Sequence, residues 1–140
     1  LLTRPYKFRG HTYMDAGLVD MIPIEQSIRQ GNTKHVFIST KEENYVRKPA
    51  PGWQIQLAKL MYPGNKPIRE NLKIRHINYQ KQWQIVKELE EQGNAIVLRP
   101  SADYGVTRYT HDKELLGRWF DLGYEDTKNR LDMIREFMEK

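Results

Sequence analysis

The 140 residues contain no cysteine, so disulfides and thiolate metal sites are both excluded, and the composition fits a reducing compartment. No apolar run approaches the roughly 20 residues a membrane-spanning helix needs, and no secretory leader pattern is visible. There is no glycine-rich phosphate loop and no His-Glu-x-x-His. The four histidines are scattered at positions 11, 35, 76 and 111, so no metal site and no cofactor are expected. The three serines, Ser27, Ser39 and Ser101, all lie outside the Gly-x-Ser-x-Gly turn that exposes a nucleophile, and each reads as structural. Methionine is also missing from the first position. Leu1-Leu2-Thr3-Arg4 reads as a cut made inside a longer protein, although removal of a leader would look the same.

What is present is a basic chain of one-domain size, with a formal net charge of +5. Such a balance allows attraction to nucleic acid or to anionic lipid headgroups. The basic residues are dispersed, however, and mostly sit beside acids. The densest segment runs from Lys66 to Lys81 and reads as a solvated helix face. It lacks the clustered basic stripe with stacking aromatics typical of nucleic-acid sites, so no nucleic-acid partner is expected. Arg69, Lys73 and Arg75 are the candidates for contact with anionic lipid.

Hydrophobic patterning organises the chain into short elements. Tyr6-Lys7-Phe8 and His11-Thr12-Tyr13-Met14 flank Arg9-Gly10 and predict a hairpin. Pro23 opens a short helix that carries Ile24 and Ile28 on one face and ends at Gly31-Asn32. Asp20 lies close enough to cap this helix or to favour its dipole. The run His35 to Thr40 predicts a buried strand, and strand–helix–strand over this distance predicts a βαβ unit with parallel pairing. Lys41 to Gly52 reads as a loop or boundary. Trp53 to Tyr62 predicts an amphipathic helix, broken by the Pro63-to-Pro67 stretch. The longest helical pattern runs from Pro67 to Gln92, with Ile68, Leu72, Tyr79, Trp83, Val86 and Leu89 on one side. Ala95 to Arg99 predicts a short strand, and Ser101 to Thr110 a loop. Asp112 predicts the cap of a helix from Lys113, broken near Asp121-Leu122-Gly123. A last helix from Tyr124 to about Met138 would turn Leu131, Ile134, Phe137 and Met138 inward. No internal repeat or low-complexity segment is present.

Asp15 stands out among the titratable residues. It sits at the end of a predicted strand and is followed by Ala16 and Gly17. An aspartate there can bond its own backbone as a turn residue. A carboxylate flanked by small residues also meets the demands on a general base that must reach a serine hydroxyl. Gly17 can adopt φ > 0 or permit another backbone to approach closely.

The stretch Tyr13-Met14-Asp15-Ala16-Gly17-Leu18-Val19-Asp20-Met21-Ile22-Pro23-Ile24 resembles the Asp-Gly-Gly/Ala motif of patatin-like phospholipases. In that family an aromatic-rich strand leads to the Asp of a Ser-Asp dyad, and a Pro-started helix and a further strand follow. Arg99-Pro100 and the segment from His111 to Ile134 are similar to the tail of bacterial members that carry an extra C-terminal helical segment. The resemblance thus spans nearly the whole chain. It implies that Asp15 is the general base, with Ala16, Gly17 and Pro23 supporting the motif. Ala16 departs from the commoner Gly, so a backbone angle open only to Gly is not expected there. The family's nucleophile and its oxyanion loop lie N-terminal to the Asp, and neither occurs here.

The expected fold is therefore α/β. A partial patatin-like α/β/α sheet, hairpin plus βαβ, occupies 1–45, and a mostly helical C-terminal extension with one short strand occupies 46–140. The resemblance implies a lipid ester substrate for the full-length protein, and the missing N-terminal portion as a partner. It also implies that this chain alone is inactive. Strands that have lost sheet neighbours would invite self-association. The expected location is cytoplasmic, with peripheral membrane contact through the basic helix. The alternative is a non-catalytic interaction or scaffold module in which Asp15 is structural.

Overall fold

A computed structural model describes residues 5–107 and 109–139. The expected loop from Ser101 to Thr110 lies within them except at Arg108, and the expectation for Leu1 to Arg4 lies outside the described residues. The fold is mixed α/β and mostly helical, with about half of the described residues in helices. Its strands form two separate two-stranded sheets.

β1 (Tyr6–Phe8) and β2 (His11–Tyr13) make the expected antiparallel hairpin, pairing Tyr6 with Tyr13 and Phe8 with His11. The two-residue loop has φ +48° at Arg9 and +78° at Gly10. Two central residues with positive φ match the right-handed twist of the flanking strands. Both strands are exposed along their length, including Tyr6, Phe8 and Tyr13.

The second sheet corrects the expected βαβ unit. β3 (His35–Ile38) pairs in parallel with β4 (Ala95–Leu98), in register from His35 opposite Ala95 to Ile38 opposite Leu98, and not with β2. The intervening chain carries α2 (Gly52–Met61) and α3 (Lys66–Glu91), so the crossover is far longer than the Asp20-to-Asn32 connection. β3 is not the buried strand that its apolar run predicts. His35 is buried, but Val36 and Ile38 are exposed, whereas all four residues of β4 are buried. An apolar run marks a strand without saying which of two such runs lies inside.

Of the remaining helices, α1 (Ile24–Arg29) is short. Its N-cap is Pro23 itself, which makes no side-chain cap, and Asp20 bonds elsewhere. Ile24 is buried and Ile28 is exposed, so the helix buries less of that face than expected. Gly31, at φ +84°, ends the segment as expected. α4 (Lys113–Lys128) starts at the predicted cap, where Asp112 Oδ1 accepts from the N–H groups of Glu114 and Leu115 at 3.0 and 3.1 Å. It then runs unbroken through Asp121-Leu122-Gly123. Glycine costs about 1 kcal/mol in a helix interior, and here two glycines do not suffice to break it. The break falls at 129–130, before α5 (Leu131–Glu139). On α5, Ile134 and Phe137 are half-buried, while Leu131 and Met138, expected inward, are exposed.

The contacts divide the described residues into two compact units. One takes those of Leu1–Gln30 and Val46–Ile85, and the other those of Gly31–Tyr45 and Val86–Lys140. The expected segments 1–45 and 46–140 thus both contribute to each unit. In the first unit Leu18, Ala58, Ile68 and Leu72 form a buried cluster, with Met14, Ile55 and Tyr62 packed on it. Leu18 anchors the Asp15 turn in that cluster. In the second unit Arg99, at the end of β4, bonds Glu43 at 3.0 Å and Glu90 at 2.9 Å.

Candidate functional site

The candidate base lies at the point where β2 gives way to a single 3-10 turn, Ala16–Leu18. Asp15 is the N-cap of that turn, at φ −51° and ψ 124°. Its side chain is exposed, and its one hydrogen bond among the described residues is accepted by Oδ1 from Gly17 N, at 2.7 Å. The backbone closes the same turn, with Leu18 N donating to Asp15 O at 3.2 Å and Val19 N to Ala16 O at 2.9 Å. One carboxylate oxygen is thus fixed by the turn while the group as a whole faces solvent.

Gly17 keeps a negative φ, so it is not needed here for left-handed backbone. It is needed for space. A Cβ at Gly17 would stand 2.8 Å from Asp15 Oδ1 and 3.3 Å from Arg75 Nη2. The close approach is therefore by side chains and not by another backbone. Ala16 also keeps a negative φ, as the departure from Gly implies.

The chain after the turn is held to α3 by a residue that apolar periodicity does not reveal. Gln82 is buried, at 7 % exposure, on a helix face otherwise read as apolar. Its Oε1 accepts from Ile22 N at 3.1 Å, and its Nε2 donates to Asp20 Oδ1 at 2.7 Å. Both ends of one amide thus clamp the segment between the Asp15 turn and α1. A buried amide must satisfy both its donor and its acceptor, and the loop supplies both partners. The available signal was a glutamine falling among the apolar positions Tyr79, Trp83 and Val86.

The three basic residues proposed to touch lipid are not brought together. Arg69 Nη1 donates to the carbonyls of Tyr62 and Pro63, at 3.3 and 3.2 Å, and so caps the end of α2. Lys73 pairs with Glu70 at 3.1 Å on the exposed surface. Arg75 is half-buried against Gly17. At about 100° per residue, Arg75 lies roughly 120° around the helix from Arg69, on the side opposite Lys73. Pro23 stands at the start of α1, exposed.

Among the described residues no group of three or more His, Asp or Glu could hold a metal ion. No helix among them is long and apolar enough to cross a membrane.

Residues 65–139, more than half of the chain, match a domain of unknown function, DUF6363, and the chain belongs to that family. The match takes in the whole of α3 together with β4, α4 and α5, and leaves the Asp15 turn outside it. No curated protein matches the chain, and no solved structure does.

Proposed function

We propose that this chain is the C-terminal part of a patatin-like lipid acyl hydrolase, to which it contributes Asp15 as the general base of a Ser-Asp dyad. The observation that carries the reading is the Tyr13-to-Ile24 motif, with its carboxylate exposed at a strand end and steadied by Gly17 N. Asp15 would take the serine proton as the hydroxyl attacks an ester carbonyl, giving an acyl-enzyme that water then hydrolyses. The serine and the oxyanion donors would come from sequence preceding this chain. The two small sheets add support. The hairpin exposes Tyr6, Phe8 and Tyr13, and β3 exposes Val36 and Ile38. Isolated two-stranded ribbons are marginal in water, and these faces suit strands that belong to a larger sheet. On this reading the 140-residue chain self-associates through those edges, and a monomer by light scattering at every concentration would count against it. The basic helix is a weaker lipid contact, because Arg69 and Lys73 already have partners.

The test is the reading frame that contains this chain. It should encode Gly-x-Ser-x-Gly and a glycine-rich loop upstream, and its product should hydrolyse acyl esters, whereas the 140-residue chain should not. Ester turnover by the isolated chain that is lost in Asp15→Asn would overturn the division of labour proposed here.

A second reading has its own observation. The Gly17 N–H···Oδ1 bond is what a purely structural Asp cap makes. If the upstream sequence lacks both motifs, the chain is a non-catalytic interaction module and Asp15 only closes a turn.

A further inference from the structure

The net charge of the chain is concentrated in one stretch. Val46 to Arg69 holds the basic residues Arg47, Lys48, Lys59, Lys66 and Arg69, and no acid. Outside that stretch basic and acidic residues are equal in number, so it carries the whole of the +5. The stretch lies within the first unit, and α2 is its centre. Two sides of α2 are apolar. Ile55 and Ala58, with Tyr62 at the C-cap, turn one side to the cluster of Leu18, Ile68 and Leu72. At about 100° per residue, Trp53, Leu57 and Leu60 fall within about 60° of one another on the opposite side, with Met61 at its edge. Trp53 is 64 % and Leu60 79 % exposed, and Met61 is exposed as well. A helix that is apolar all round is ordinarily covered all round, and this outer side is open.

The cations of the stretch divide by type. Its two arginines are engaged inside the unit. The Arg47 guanidinium lies over the Tyr79 ring, 5.5 Å from its centre, and Arg69 Nη1 donates to the carbonyls of Tyr62 and Pro63. Lys48, Lys59 and Lys66 are exposed and make no ion pair among the described residues. Lys48 precedes α2, Lys59 stands in its last turn and Lys66 follows it, so free ammonium groups flank the apolar face at both ends. Protein interfaces favour arginine, whose planar fork makes bidentate contacts, and they deplete lysine. Lysines are point charges on flexible stems, suited to a diffuse layer of negative charge. An exposed Trp and Leu face bordered by lysines is the pattern of a helix that lies in the plane of a membrane interface. The apolar side chains enter the boundary of headgroups and acyl chains, and each lysine near an anionic leaflet adds to the attraction.

We propose that α2 docks this protein on the surface of a bilayer that carries anionic lipid, with Trp53 and Leu60 inserted and Lys48, Lys59 and Lys66 against the headgroups. This surface is separate from Arg69, Lys73 and Arg75, which are turned to other partners. The inference stands on the charge and the open face of α2 and needs neither a serine nor Asp15. Vesicle binding by the 140-residue chain therefore separates its failure from that of the hydrolase reading. Leu60→Gln removes apolar surface at an exposed position, and the double variant Lys59→Gln, Lys66→Gln removes two of the three free cations. Phe120→Gln and the double variant Lys113→Gln, Lys128→Gln make the same changes at exposed positions of α4 and serve as matched controls.

The assay is co-sedimentation with sucrose-loaded vesicles of phosphatidylcholine, with and without phosphatidylserine. Binding should be at least about tenfold tighter to the vesicles that contain phosphatidylserine. Leu60→Gln and the Lys59, Lys66 double variant should each weaken it by roughly tenfold or more, and the two α4 controls should stay within about twofold of wild type, with circular dichroism unchanged in all four. Lipids with brominated acyl chains should quench part of the tryptophan emission, and Trp53→Phe should remove that quenching while Trp83 and Trp119 remain. Absence of binding that depends on phosphatidylserine would overturn the proposal. So would equal losses in the α2 variants and their α4 controls, quenching that persists in Trp53→Phe, or retention on polyglutamate or RNA without binding to vesicles.

Discussion

Replacing Gln82 by Leu tests whether one buried amide fixes the segment that follows the Asp15 turn. The substitution keeps much of the side chain's bulk and removes two hydrogen bonds. Ile22, at 2 % exposure, would keep its N–H out of water with no acceptor. Asp20, half-buried, would lose the donor that reaches Oδ1 at 2.7 Å. A buried donor left unsatisfied costs about 1–3 kcal/mol, and a hydrogen bond to a charged group is worth roughly 1.5–3 kcal/mol. Part of the Asp20 loss is recovered by water, because that carboxylate is only half-buried. The sum is about 2–4 kcal/mol, which for a chain of this size lowers the melting temperature by roughly 8–15 °C. Urea titration followed by circular dichroism reads it directly. Gln82→Glu adds a sign test. It keeps an acceptor for Ile22 N but sets a carboxylate against Asp20, so the folded pair holds a proton more readily than the unfolded chain does. Its deficit relative to wild type should therefore shrink as pH falls through the ordinary carboxylate range. A loss below about 0.5 kcal/mol in Gln82→Leu, or a Gln82→Glu deficit independent of pH, would refute the clamp.

Three further perturbations follow from the structure. Gly17→Ala puts a Cβ 2.8 Å from Asp15 Oδ1 and should destabilise by about 1–2 kcal/mol, the worth of a lost cap plus displacement of the carboxylate. Gly117→Ala meets open space on α4 and should stabilise by up to about 1 kcal/mol, and thermal melts of the two variants should move in opposite directions. Asp112→Ala removes the acceptor for the N–H groups of Glu114 and Leu115 and should cost about 1 kcal/mol, with amide exchange accelerated in the first turn of α4.

Local signals in the sequence carry the helices well and the sheet poorly. α3 lies within a residue of the expected 67–92 at both ends, because a long apolar stripe and a stop at Gly93, φ +73°, both act locally. The hairpin and the Asp112 cap are legible for the same reason. Partnering of β3 is not. His35 to Ile38 offers the same apolar pattern to any neighbour, and its actual partner lies 60 residues further on, beyond two helices. The predicted break at Asp121 to Gly123 fails because two exposed glycines lower helix propensity without removing a hydrogen bond. At the candidate site, Asp15 and its turn are readable from residue order. The approach of Arg75 to Gly17 and the Gln82 clamp are not, since each depends on α3 lying against the turn from more than fifty residues away.

The central claim is that Asp15 is a base and not only a cap. Asparagine can accept the same Gly17 N–H, so Asp15→Asn separates the two roles. The measurement is acyl-ester hydrolysis by the full reading frame that contains this chain, as wild type and as the Asp15→Asn variant, alongside a thermal melt of each. The account predicts a fall in turnover of about 100-fold or more with the melting temperature unchanged. Equal turnover by the two proteins would contradict it.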